Sequence, residues 1–247
     1  MPRPSLSLKE KVIFSVPILT AILFAVLLYF GLPEISDHDK ESIKFPRNVV
    51  DLKSLGACLS KYKNIYYFRI MMLITSSYIF LQSFMIPGSV VLSILLGYLY
   101  TFPIALILIS ICSAIGATFC YMISDYFGRD LINHYIPDQV SECRRIVNIY
   151  KKGMFLCVLM LRVCPFVPNW SVNIVAPIVS VKVVPFFWGT FFGVIPLSLV
   201  FVKAGTILQE LNDIGVTNLA SVNFLVVLAV ISLLPVIFKE RIKKYLL

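Results

Sequence analysis

The sequence predicts an all-α polytopic membrane protein: an inverted repeat of a re-entrant helical hairpin plus a transmembrane helix, with one further spanning helix at each end. Three observations predict it. Of 247 residues, 59% are apolar or aromatic and only 14% are charged, against roughly 45–50% and 25% in a soluble domain. The apolar residues form uncharged runs, 12–33, 70–124 and 183–202 among them, longer than a soluble core needs. Prolines then cut these runs twice in one order: hairpin, break, span. The excess of 22 Lys and Arg over 13 Asp and Glu sits at the ends of apolar segments. It reads as a set of topology signals and excludes a nucleic-acid footprint. The six cysteines form no C-x-x-C pair, so no disulfide or zinc framework is indicated.

Residues 12–32 reach ~31 Å as a helix, enough to cross a hydrocarbon core of ~30 Å. Arg3, Lys9 and Lys11 precede them and place the N-terminus in the cytosol, as an uncleaved anchor. Residues 34–64 are polar and read as a loop with a short surface helix near 48–59. The first hairpin, 66–101, breaks at Pro87 and Gly88, which pair a missing N–H with tolerance of positive φ. Its second arm, 89–101, reaches only ~20 Å and is too short to cross. Pro103 then opens a span over 103–127, at the first helical position where its missing N–H costs nothing.

Residues 128–152 form a connector, with an amphipathic helix starting near Pro137 and carrying Glu142, Arg144, Arg145, Lys151 and Lys152. The second hairpin, 153–182, breaks at Pro165 and Pro168, and its arms of ~18 Å are again too short to cross. A span over 185–208, a polar turn over 209–218, a last span over 219–238 and a basic tail over 239–247 complete the chain. Pro103 and Pro185 are counterparts in this register, and Pro87-Gly88 falls opposite Asn169-Trp170. Four crossings put both termini in the cytosol, beside the basic connector. The six positives between 40 and 63 run against this count. One crossing separates the hairpins, so they enter from opposite sides. That is the inverted plan on which transporters place a polar site at the midplane.

Arg162 lies about ten residues into its arm, ~15 Å deep, where a charge is costly and marks function by default. The plainer account is an arginine that ties down carbonyls at the hairpin tip. Around it stand Asn169 and Asn173, with Gln82 in the first hairpin placed to face them; its plainer account is an interhelical hydrogen bond. Lys203 and Asp125 stand near span ends, where snorkelling explains a lysine. Asn169-Trp170-Ser171 matches a glycosylation sequon but is embedded and is set aside. With His38 and His134 as the sole histidines and neither a nucleophile elbow nor a P-loop, neither an enzyme nor a metal, cofactor or ATP site is expected.

The ordered set Leu81-Gln82 to Ile86-Pro87-Gly88-Ser89, Gly97-Tyr98-Leu99-Tyr100, Gly128-Arg129, Leu161-Arg162-x-x-Pro165-x-x-Pro168-Asn169-Trp170-x-x-Asn173, Gly189-x-x-x-Gly193 and Lys203-Ala204-Gly205-Thr206 resembles the DedA superfamily, in its eukaryotic VTT-domain branch. The resemblance covers roughly residues 66 to 238. It implies an energy-independent phospholipid scramblase of the endoplasmic reticulum, supporting autophagosome formation and lipid mobilisation. Its partners would be phospholipids, with lipid-transfer and autophagy proteins at membrane contact sites. The candidate head-group contacts are Arg162, Asn169, Asn173, Gln82 and Lys203, with Arg162 the transient partner of the phosphate. Bacterial relatives often carry an acidic residue where this chain has Gln82, which speaks against proton coupling. A coupled carrier of a lipid phosphate or small anion, and a membrane-organising scaffold, are the other two readings the pattern admits.

Overall fold

The computed structural model describes residues 46, 48–135, 153–164 and 167–213, together with Leu19, Ile22, Phe24, Val26, Ser141, Arg144, Arg145 and Val147. Most of the expected first span, most of the connector, the hairpin break at Pro165, the last span over 219–238 and the basic tail lie outside these residues. Everything described is helix, turn or short link. The helices are α1 (Val49–Lys63), α2 (Tyr67–Ser83), α3 (Ser89–Leu99), α4 (Phe102–Tyr135), α5 (Met154–Val163), α6 (Asn169–Ile178), α7 (Val183–Gly193) and α8 (Ile195–Asp213). Two stretches, Phe102–Phe127 and Val183–Leu211, are long and apolar enough to cross a membrane.

The surface helix expected near 48–59 is α1, and it runs on to Lys63. Asn48 caps it, its Oδ1 accepting from Asp51 N–H at 2.7 Å, while Lys61 and Lys63 complement the negative end. Leu52, Leu55 and Leu59 are buried. Gly56 lets the helix lie flat on Tyr98, whose ring a Cβ there would meet at 2.9 Å. Lys63 then donates to Leu99 O at the end of α3, fastening α1 to the base of the first hairpin.

That hairpin is α2 and α3, joined over residues 84–88. Ile70, Ile74 and Tyr78 recur every fourth position and are buried, the stripe of a helix with one packed face. The helix ends without glycine: Met85 takes φ 57° and Ile86 N–H donates back to Leu81 O at 2.9 Å, a Schellman closure. Gly88, at φ 148°, holds a conformation that a side chain would strain. The second hairpin, α5 and α6, has a link of the same length over residues 164–168.

α4 is the central helix, packing against both arms of the first hairpin, the second arm of the second, and α7 and α8. Its inward face carries Ala105, Ile109, Cys112, Ser113, Gly116, Ala117, Cys120 and Ser124, mostly small residues that let neighbouring backbones approach. The hairpins pack reciprocally. The first arm of each lies on the long helix that follows it, and the second arm lies on the long helix of the other unit: α2 on α4, α5 on α7, α3 on α8, α6 on α4. One apolar cluster gathers α1, α2, α3, the first half of α4 and Val202; the other gathers Ala117 and Tyr121 with α5, α6 and Phe186.

Four expectations change. The span of 103–127 continues as helix to Tyr135, because no proline intervenes before Pro137, which disfavours helix at the residue before it. The span over 185–208 starts at Val183 and is divided at Val194. Pro196 has no N–H for the Phe192 carbonyl, and bonds from Val194 N to Thr190 O and Ser198 N to Val194 O carry the chain through the break. The polar turn from 209 is still helical to Asp213. Finally, the helix boundaries align Ser83 with Val163 and Ser89 with Asn169, 80 positions apart, so Ser89 and not Pro87 stands opposite Asn169. Matching prolines displaces the register because Pro87 lies inside its link, whereas Pro168 closes the other one.

Candidate functional site

A cavity of about 100 Å³ with a mixed lining, polar side chains beside Val90, Val194, Leu197 and Phe201, opens between the two hairpins, at the junction of the two apolar clusters. Tyr78, Gln82, Ser89, Ser93 and Ser113 line it from the first unit; Arg162, Asn169 and Ser198 line it from the second. At ~30 Å³ per water it has the room of roughly three waters, enough for a phosphate group.

Arg162 is the one cation in that lining, and it is 4% exposed. Its position is set by Gly193: a Cβ there would fall 2.6 Å from Arg162 Cβ and 3.1 Å from Leu159 O. The same contact recurs in the first unit, where a Cβ on Gly116 would fall 2.6 Å from Gln82 Cβ and 3.1 Å from Ile79 O. Gln82 is therefore the positional counterpart of Arg162, and both reach the one cavity.

The guanidinium donates to neutral oxygens throughout. Nε and Nη2 reach Thr190 Oγ1 at 3.2 and 3.0 Å, and Nη2 reaches Asn173 Oδ1 at 2.6 Å. Nη1 reaches Asn169 O at 2.8 Å and, more weakly, Asn169 Oδ1 at 3.4 Å. The Phe186 ring centroid lies 5.3 Å from its carbon centre, an attraction worth ~2 kcal/mol when desolvated. Hydrogen bonds to a charged group contribute about 1.5–3 kcal/mol each, which offsets a burial cost of several kcal/mol per ion. Among the described residues, none of the guanidinium's partners is a carboxylate. An anion ~4 Å away would gain ~4 kcal/mol at an effective dielectric of 20. The longest of these bonds, to Asn169 Oδ1, is the one such a ligand would displace first.

The expected residues divide accordingly. Arg162, Asn169 and Gln82 share the cavity, and Asn173, 1% exposed, holds Arg162 from behind. Lys203 is half-buried on α8 and does not line it. Gly88 and Pro168 bound the links of the two hairpins, and Pro87 is exposed. Sequence reasoning missed Tyr78, Ser93, Ser113, Ser198 and Thr190. The register of 80 and 77 positions, which pairs Ser93 with Asn173 and Ser113 with Thr190, could have found Ser93, Ser113 and Thr190; no sequence signal marks Tyr78 or Ser198.

A second, apolar trench of about 240 Å³ runs between the arms of the second hairpin, lined by Cys157, Leu161, Val172, Val175 and Val179 among others. It gives the same hairpin one polar side and one oily side. The connector reaches this hairpin through Arg144, whose Nε donates to Ile178 O at 3.0 Å.

The VTT domain model matches residues 86–207. Transmembrane protein 41B of Xenopus laevis is 43% identical over 225 residues, covering 91% of this chain and 80% of the relative. The protein of that name from Homo sapiens is 41% identical over 227 residues, with 92% and 78% covered, and that from Danio rerio 42% over 221, with 89% and 78%. No solved structure matches significantly.

Proposed function

This chain belongs to the VTT-domain family of membrane proteins, in the DedA superfamily, and from that premise we propose that it is an energy-independent phospholipid scramblase of the endoplasmic reticulum membrane. One observation carries the reading: a buried guanidinium, held among the described residues by neutral oxygens, opens on a cavity shared by two hairpins. In this account the hairpins are re-entrant from opposite sides, because arms such as α5 and α6, ten residues each, reach only ~15 Å. They meet near the midplane, where α4 and the α7–α8 pair cross beside them, and both chain termini face the cytosol.

The chemistry is positional. The barrier to lipid exchange is the removal of a charged phosphate from water. Arg162 lowers it by giving the phosphate a partner at mid-depth, while the acyl chains stay in the bilayer or along the trench beside Leu161 and Val175. An interaction of ~4 kcal/mol corresponds to about a thousandfold in rate when it is made in the transition state alone. No step consumes fuel, so flux is set by the lipid gradient between leaflets. Lipid-transfer and autophagy proteins at contact sites would draw on that flux.

The test is lipid exchange in liposomes holding only this protein, with and without an imposed proton gradient. The expected result is flux in both, reduced to the protein-free level by Arg162→Ala with folding retained. Flux that appears only with the gradient would favour a coupled carrier of a lipid phosphate or small anion. Flux unaffected by Arg162→Ala would remove the guanidinium from the path.

A further inference from the structure

The two units carry one polar pattern in two chemistries. In the second, the Arg162 guanidinium joins Asn173 on α6 to Thr190 on α7. In the first, the Tyr78 hydroxyl joins Ser93 on α3, at 3.2 Å, to Ser113 on α4, at 3.1 Å. Ser93 lies 80 positions before Asn173, and Ser113 lies 77 before Thr190. These are the registers that relate Gln82 to Arg162 and Gly116 to Gly193. Tyr78 is one helical turn before Gln82, so its hydroxyl sits where the longer arginine reaches back to.

The order of protons in this cluster follows from its bonds. Ser93 Oγ donates to Ser89 O at 2.8 Å, which uses its single proton. The Tyr78 hydroxyl is therefore the donor to Ser93, and Ser113 in turn is the donor to Tyr78. Ser198, also in the cavity lining, donates to Val194 O at 2.8 Å. The protons of Ser93 and Ser198 are thus held by helix carbonyls, whereas the Tyr78 proton can turn from Ser93 toward a ligand without breaking such a bond. The exchange replaces a neutral acceptor by a charged one, and charge-assisted bonds are roughly twice as strong.

We infer that Tyr78 is a second ligand contact of the cavity, donating its hydroxyl proton to one oxygen of a phosphate oxyanion while Arg162 holds another. The inference rests on the scramblase reading and names a residue for it. A phosphate passing between the units meets a cation on one side and a neutral donor on the other. Release is then not opposed by a second charge.

The same vesicles test it, with the full chain in phosphatidylcholine and either labelled phosphatidylcholine or labelled glucosylceramide, whose head is a neutral sugar, as probe. Tyr78→Phe keeps the ring and removes the proton. It is expected to slow the phospholipid about tenfold, the worth of one charge-assisted bond, and the sugar lipid less than about twofold. Ser113→Ala leaves Tyr78 in place but removes its own donor, and is expected to slow the phospholipid about threefold by the same logic. Equal slowing of both probes would mean a packing role and overturn the inference, as would unchanged phospholipid flux in Tyr78→Phe. Absence of flux in wild type would instead overturn the scramblase reading. A further arm adds millimolar inorganic phosphate. Unchanged flux assigns the site to lipid phosphate, and inhibition that weakens in Tyr78→Phe assigns it to a phosphate that also enters from water. Inhibition equal in both proteins would overturn Tyr78 as an oxyanion contact.

Discussion

Arg162 holds its place through three side chains and one backbone carbonyl, and these contacts differ in what their loss would do. Thr190, fully buried, accepts two of the guanidinium bonds. Thr190→Val keeps the shape and leaves those donors unmet, at about 1–3 kcal/mol. The expected outcome is a flux reduced about tenfold, in the liposome assay, with a thermal unfolding midpoint lowered by a few degrees at most. Asn169→Ala removes the 3.4 Å bond alone and is expected to leave flux within about threefold of wild type. Arg162 itself was legible in the sequence, because a charge ten residues into an apolar arm has few structural explanations. Tyr78 was not, since a tyrosine and two serines spread over 35 positions look like ordinary membrane-helix residues until the fold joins them.

At the scale of elements, the helix breaks near Pro87-Gly88 and Pro168 and the short helices α3, α5 and α6 could be read from proline, glycine and length. Helix ends without those residues could not. α2 and α6 both close through a residue in the left-handed region, Met85 at φ 57° and Ser180 at φ 67°, and Val181 N–H returns to Ala176 O at 3.0 Å. Neither glycine nor asparagine marks the stop. Ser180 is exposed, so Ser180→Gly is expected to relieve strain and stabilise the protein by about 0.5–1 kcal/mol, seen as a raised unfolding midpoint in detergent. The division at Val194 was hidden for the opposite reason: Pro196 lies within an apolar run that tolerates proline in membrane helices. Where α3 crosses α8, a Cβ on Gly97 would meet the Val202 backbone, and one on Gly205 would meet Ile94 O. Backbone against backbone has no room to give. Gly97→Ala is expected to cost about 3 kcal/mol and to lower the yield of monodisperse protein, whereas alanine at Gly153, which has open space around it, should change nothing.

At the scale of the whole molecule, the reciprocal packing of the hairpins brings polar side chains of both units, among the described residues, to one cavity. Each second arm reaches over to the other unit's long helix, so both sets of polar side chains converge between the apolar clusters. Exchanging Gln82 for arginine would put a second cation in that cavity. Gln82→Arg is expected to bind head groups more tightly and release them more slowly, giving flux that saturates at lower lipid-phosphate content than wild type. A flux curve of unchanged shape would place Gln82 outside the path.

The most direct measurement of the central claim is the extent of quenching of a head-group-labelled phospholipid in liposomes that contain only this protein, with no ATP and no ion gradient. The account predicts loss of clearly more than half the signal, the label of the inner leaflet having come within reach of an impermeant quencher. A plateau at half, matching empty vesicles, would contradict it.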